Sequence, residues 1–160
     1  IHLSDADRAL MQRTGAVAAV CPTSNLFLGS GFFDYLAADA AGMGYGLASD
    51  VGGGTSFSPF KTMLAAYCVA REGQTKPGVS LKPSQLWWQH TTGAAQALGL
   101  QGVVGNLQPG CEADFVVLNP QATPLLARRT DQAKGLEELL FALIVLGDER
   151  VVTRTVIASR

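Results

Sequence analysis

The run YGLASDVGGGTSF (residues 45–57) carries small apolar residues up to a single carboxylate, Asp50, and then passes into three glycines. A carboxylate at the C-terminal end of a buried strand, held away from bulk solvent, can ligate a divalent metal or take a proton from a bound water. A loop-cap or turn aspartate has the same local sequence, and on the residues alone that is the commoner outcome. The glycines lack the Lys-Ser/Thr of a P-loop and the GxGxxG spacing of a dinucleotide fold. They read instead as positions for positive φ and for close approach of backbone to a ligand or to the next helix.

Other residues could join Asp50 in chemistry. His2 and His90 are the two imidazoles, and with Asp50 they make a zinc set on paper, since a catalytic zinc takes three protein ligands. His90, however, lies in an apolar helical stretch beside Trp87 and Trp88, where a packed or surface role is the simpler reading. Asn25, in CPTSNLFLGSG, follows Pro-Thr-Ser at the end of an apolar run. It could line a pocket through its side-chain amide or close an Asx turn, and the turn is favoured. Ser24, Ser30 and Ser49 have no nucleophile motif around them, because GxSxG is absent. Cys21, Cys68 and Cys111 are far apart and form no CxxC, which predicts reduced, mostly packed thiols and a cytosolic setting.

The elements that must position these residues alternate. Ser4 can cap a helix running to about Thr14, with Asp5 and Asp7 near its positive end and Gly15 to stop it. AVAAVCP (16–22) reads as a short strand buried on both faces and closed by proline, followed by a polar loop, TSNLFLGSG. Residues 32–41 predict a helix carrying Phe32, Phe33, Leu36 and Ala40, and GYGLAS (44–49) a second buried strand ending at Asp50. Two helix-to-strand units in succession point to a parallel α/β sheet or barrel with its site at the strand C-termini. Residues 59–73 predict a helix with Phe60, Met63, Leu64, Tyr67 and Cys68 near helical spacing. A further helix starts at Ser80 or Ser84 and is loosened at Gly93. ADFVVL (113–118) reads as a strand after a Pro-Gly turn, residues 135–146 as an apolar helix and RVVTRTVI (150–157) as a strand.

Composition narrows the function classes. With 48% apolar and 16% charged residues among 160, the chain can bury a core and disorder is not expected. A net charge of -1 and a pI near 6.1 provide no basic field for nucleic acid or anionic membrane. The apolar runs break well before the roughly 18–20 residues of a membrane span, so the expectation is a soluble, cytoplasmic protein. The chain opens on Ile1 rather than methionine and ends while still reading as strand, which predicts a piece of a longer polypeptide.

Three segments in order, CPTSNLFLGSGFFDYL, GYGLASDVGGGTSFSPFKTM and TTGAAQALGLQGVVGNLQPGCEADFVVLNP, resemble the C-terminal portion of the guanine deaminase family, within the metal-dependent amidohydrolase superfamily. The resemblance spans essentially the whole chain. It implies an α/β fold, the C-terminal part of a (β/α)8 TIM barrel plus strands of a small composite β domain. AVAAVCP resembles the seventh barrel strand and GYGLAS the eighth. Residues 1–104 would then be the last strands and helices of the barrel, 105–120 and 147–160 the strands of the small domain, and 121–146 a connecting helical segment.

By the same resemblance, Asp50 matches the strand-eight aspartate that binds zinc or another divalent metal and helps deprotonate the attacking water. The implied reaction is hydrolytic deamination of guanine to xanthine and ammonia. The family's other metal ligands and its main guanine-contacting arginine and glutamine would lie upstream of Ile1. His2 falls just after the expected strand-six histidine and is not promoted to ligand. ASD stands where GTD is commoner, and IASR replaces a glycine-containing ending. The expectation is therefore that the isolated chain binds no metal tightly and is inactive, and that it meets its missing N-terminal part or forms a homodimer. The alternative is a non-catalytic truncated module that acts through self-association or partner binding.

Overall fold

A computed structural model describes residues 2–73 and 78–159. The chain divides into two compact units, Ile1–Leu81 and Lys82–Arg160.

The first unit begins with α1 (Asp5–Thr14). Ser4 and Asp7 form a reciprocal capping box, which satisfies two of the backbone N–H groups left open at a helix start. Gly15 ends the helix at φ 70°, where a side chain would be strained. Next come β1 (Ala18–Val20), α2 (Pro22–Leu28), α3 (Tyr35–Ala40), β2 (Tyr45–Leu47) and α4 (Pro59–Glu72). β1 and β2 pair in parallel with Ala18 opposite Tyr45 and Val20 opposite Leu47. The Ala48 amide donates to the Val20 carbonyl at 2.9 Å, so the ladder continues toward Asp50.

Several expectations change in detail. TSNLFL, the larger part of TSNLFLGSG, is helix and not loop: Pro22 closes the strand but also opens α2 at its first turn, where its fixed φ and missing N–H suit a helix start. β1 is not buried on both faces, since Ala18 and Val20 are buried while Ala19 is exposed. The helix expected from residue 32 starts at Tyr35 because Asp34 caps it, accepting from the Ala37 amide at 3.0 Å. Phe33, just outside it, is buried and packs edge-on to Tyr35 at 4.9 Å, whereas Leu36 and Ala40 are exposed. On α4 the inward face is Phe60, Thr62, Met63, Ala66, Val69 and Ala70. Cys68 points away from that face and is exposed, so it is not a packed thiol.

The second unit holds α5 (Pro83–His90), α6 (Thr92–Ala97), β3 (Ala113–Leu118), α7 (Pro124–Thr130), α8 (Leu136–Leu146), a 3-10 turn (Glu149–Val151) and β4 (Val152–Ser159). α5 starts at Pro83 with Lys82 at the cap position, not at Ser80 or Ser84, because proline at the first position sets the helical φ. The break after α5 falls at Thr91, and Gly93 is buried against Trp88 within α6. β3 and β4 pair antiparallel and carry exposed Phe115, Val116, Val117 and Ile157. Leu86, Leu126, Ile144 and Val151 form the core of this unit.

Candidate functional site

The parallel pairing of β1 with β2 sets the chain after each strand side by side. After β1 comes Cys21 and the first turn of α2; after β2 come Ser49, Asp50 and the glycines. The Thr23 hydroxyl donates to the Ser49 carbonyl at 3.4 Å, joining the two strand ends.

Asp50 has φ 47°, and among the described residues it is the one non-glycine with positive φ. Aspartate tolerates this left-handed region better than most residues, yet the conformation still costs energy, and such outliers collect at functional sites. The turn that follows is closed by the Gly54 amide donating to the Asp50 carbonyl. Gly52 has φ 119°, a value that favours glycine. Gly53 is required for a different reason: a methyl group there would stand 2.9 Å from Asp50 Oδ2 and 3.2 Å from Ser24 Oγ. The carboxylate and the buried Ser24 hydroxyl therefore converge on one glycine.

Cys21 belongs to the same cluster. Burial pushes its thiol pKa up, and the negative charge of Asp50 pushes it further. Its Sγ lies 3.6 Å from the Ala19 carbonyl. Asp50 itself is exposed, not withdrawn from solvent as expected, because it stands past the end of a two-stranded sheet. Among the described residues nothing hydrogen-bonds or ion-pairs with its carboxylate, which leaves both oxygens open to a ligand.

The remaining candidates are placed by other contacts. Asn25 sits within α2, where its amide donates to the Cys21 carbonyl at 2.9 Å as a helical residue does, so the Asx-turn reading is replaced by helix. His2 Nε2 lies 2.8 Å from the Ser30 carbonyl, a contact with the loop after α2. His90 belongs to the second unit. There it lines a groove of about 720 Å³ with Trp87, Leu98, Phe115 and Val156, its pKa lowered by burial and its Nε2 buried without a partner. Among the described residues no three His, Cys, Asp or Glu side chains converge as a metal site. Sequence reasoning missed Ser24 and Cys21 as neighbours of Asp50. Pro22 was the available signal, since a helix starting there turns Ser24 back toward the strand end.

Residues 1–160 match the Amidohydrolase family. The chain belongs to that family. Similar amidohydrolases include the guanine deaminase of Escherichia coli (strain K12), 38% identical over 160 residues, 100% of this chain and 36% of that protein. The probable guanine deaminase of Deinococcus radiodurans is 39% identical over 147 residues, 92% of this chain and 33% of that protein. The solved structure of E. coli guanine deaminase superposes with TM-score 0.94, covering 100% of this chain and 36% of that one. A guanine deaminase structure from C. acetobutylicum, with bound guanine in the active site, gives TM-score 0.81 at 26% identity, covering 99% and 36%. The chain thus spans about a third of the length of the curated relatives it matches. Its α/β architecture is that of an amidohydrolase segment.

Proposed function

We propose that this chain is the C-terminal part of a guanine deaminase-like amidohydrolase that converts guanine and water to xanthine and ammonia. The observation that carries the reading is Asp50: a carboxylate held at a parallel strand end by a left-handed backbone, with neither oxygen paired among the described residues. The similarity to guanine deaminases over the whole chain supports guanine as the substrate. In this reading β1 and β2 are the last two strands of a (β/α)8 barrel, completed by polypeptide outside these residues. Residues 1–104 belong to the barrel, 105–120 and 147–160 to a small β domain, and 121–146 to the helical connection between them.

Asp50 fits a divalent metal as one oxygen donor of a larger set; the rest of that set would come from outside this chain, because among the described residues no three His, Cys, Asp or Glu side chains converge. Zinc or a similar ion, when bound, supplies a Lewis acid that makes water more acidic. The Asp50 carboxylate accepts the proton of the water that adds to the purine carbon bearing the exocyclic amine. Its exposure at the strand end lets that water reach the carboxylate. Asn25, in the helix α2 that follows β1, is the proposed polar contact for the purine.

The test is guanine consumption, followed as loss of ultraviolet absorbance with zinc supplied. The 160-residue chain alone is expected to be inactive, and the chain joined to its upstream polypeptide active. Asp50→Asn in the joined protein is expected to remove activity. Turnover by the isolated chain would overturn the account of the missing ligands. An active Asp50→Asn variant would overturn the role given to Asp50.

A further inference from the structure

We infer that Gly53 and Ser24 set the orientation of the Asp50 carboxylate, so that the third residue past the aspartate is a positioning residue for the reaction. This rests on the reading of Asp50 as the carboxylate of the site.

Three glycines follow Asp50 almost directly, and the structure gives each a separate reason. Gly52 needs its positive φ. Gly54 abuts backbone, since a methyl group there would collide with the Ser49 carbonyl and stand 3.0 Å from the Asp50 carbonyl oxygen. Gly53 has neither constraint. Its φ is outside the left-handed region, and its near neighbours are side-chain atoms: Asp50 Oδ2 at 2.9 Å, Ser24 Oγ at 3.2 Å and Leu28 Cδ1 at 3.5 Å. A contact of 2.9 Å is too short for carbon against a carboxylate oxygen, so something must move. The softest element is the Asp50 side chain, which is exposed and, among the described residues, has no hydrogen bond to hold it. Ser24 is 3% exposed and lies in α2, so it cannot retreat as far. A side chain at 53 would therefore be accommodated by turning the carboxylate, with the fold kept. Glycine at this position reserves the space beside Oδ2, and Ser24 Oγ crowds the same space at 3.2 Å.

The experiment uses the complete enzyme that carries this segment, in four forms: unaltered, Gly53→Ala, Ser24→Ala and the double variant, with Asp50→Asn as the reference. Read-outs are zinc bound per chain, kcat and KM for guanine, and the melting temperature. For Gly53→Ala we expect kcat to fall by about tenfold to a hundredfold, the range that a misplaced catalytic group produces, with reduced zinc and a melting temperature within a few degrees of the unaltered enzyme. Ser24→Ala removes the second oxygen crowding the new methyl and gives it room to shift. The double variant should then lose less than the product of the two single losses, a coupling that a generally weakened loop would not produce. If Gly53→Ala keeps full kcat and zinc while Asp50→Asn loses both, the inference fails and the role of Asp50 stands. Independent, additive losses in the double variant would also overturn it. If Asp50→Asn behaves like the unaltered enzyme, the functional reading itself is wrong.

Discussion

Leu47→Ala tests whether the short parallel sheet is the support of the site. Leu47 is the last residue of β2, 4% exposed, paired with Val20 and three positions before Asp50. Its replacement by alanine removes buried methyl groups and leaves a cavity that the surrounding helices fill incompletely. Such substitutions cost about 3–5 kcal/mol at well-packed positions. A domain of this size has roughly 4–12 kcal/mol of stability in total, so the loss is a large fraction. At about 4–8 °C per kcal/mol for a small domain, the first unit should melt at least ~12 °C lower. Far-UV circular dichroism against temperature, with Leu26→Ala as the control, reads this out. Leu26 is 46% exposed, and its truncation should cost within about 0.5 kcal/mol. A Leu47→Ala shift below ~4 °C would mean that β2 is not held by core packing, and the argument that a rigid strand presents Asp50 would fail.

Two further outcomes are expected. Burial lowers the His90 pKa below its ordinary 6.5, so the unfolded chain binds more protons than the folded one between the folded value and 6.5. The contribution is complete above pH 6.5 and is lost as pH falls toward the folded value; His90→Phe should flatten this stretch of a melting-temperature profile. Both tryptophans lie in α5, so their fluorescence reports the unit that contains His90, and an unchanged slope in the variant would refute the assignment. At the other site, Asp50→Asn removes a charge that raises the Cys21 pKa, so maleimide labelling of Cys21 near neutral pH should accelerate. Exposed Cys68 should label at the same rate in both proteins. Equal Cys21 rates would mean that thiol and carboxylate do not share a field.

Much of the local structure was legible because its causes are local. The Ser4 cap, the Gly15 stop, the apolar stretch of α8 and the β-rich ADFVVL are each decided by residues a few positions apart. Asp50 was legible as a strand-end acid because the apolar run stops there. Pro22 was misread because a proline can both end a strand and begin a helix, and neighbouring residues alone do not choose between them. Cys68 was misplaced because one turn of near-helical spacing leaves the direction of the inward face open, and Phe60 and Met63 anchor that face elsewhere.

The sequence by itself determined the alternation of helix and strand, the position of Asp50 and membership of the amidohydrolase family, since caps, periodicity and ordered motifs survive in one dimension. Only the tertiary structure decided which side chains meet. Ser24 and Cys21 come to Asp50 because β1 and β2 pair in parallel, a contact between segments separated by two helices that no local pattern encodes. The same pairing separates three glycines that look alike in the sequence, since close approach depends on what lies across the sheet end. At Gly53 it is a carboxylate and a hydroxyl.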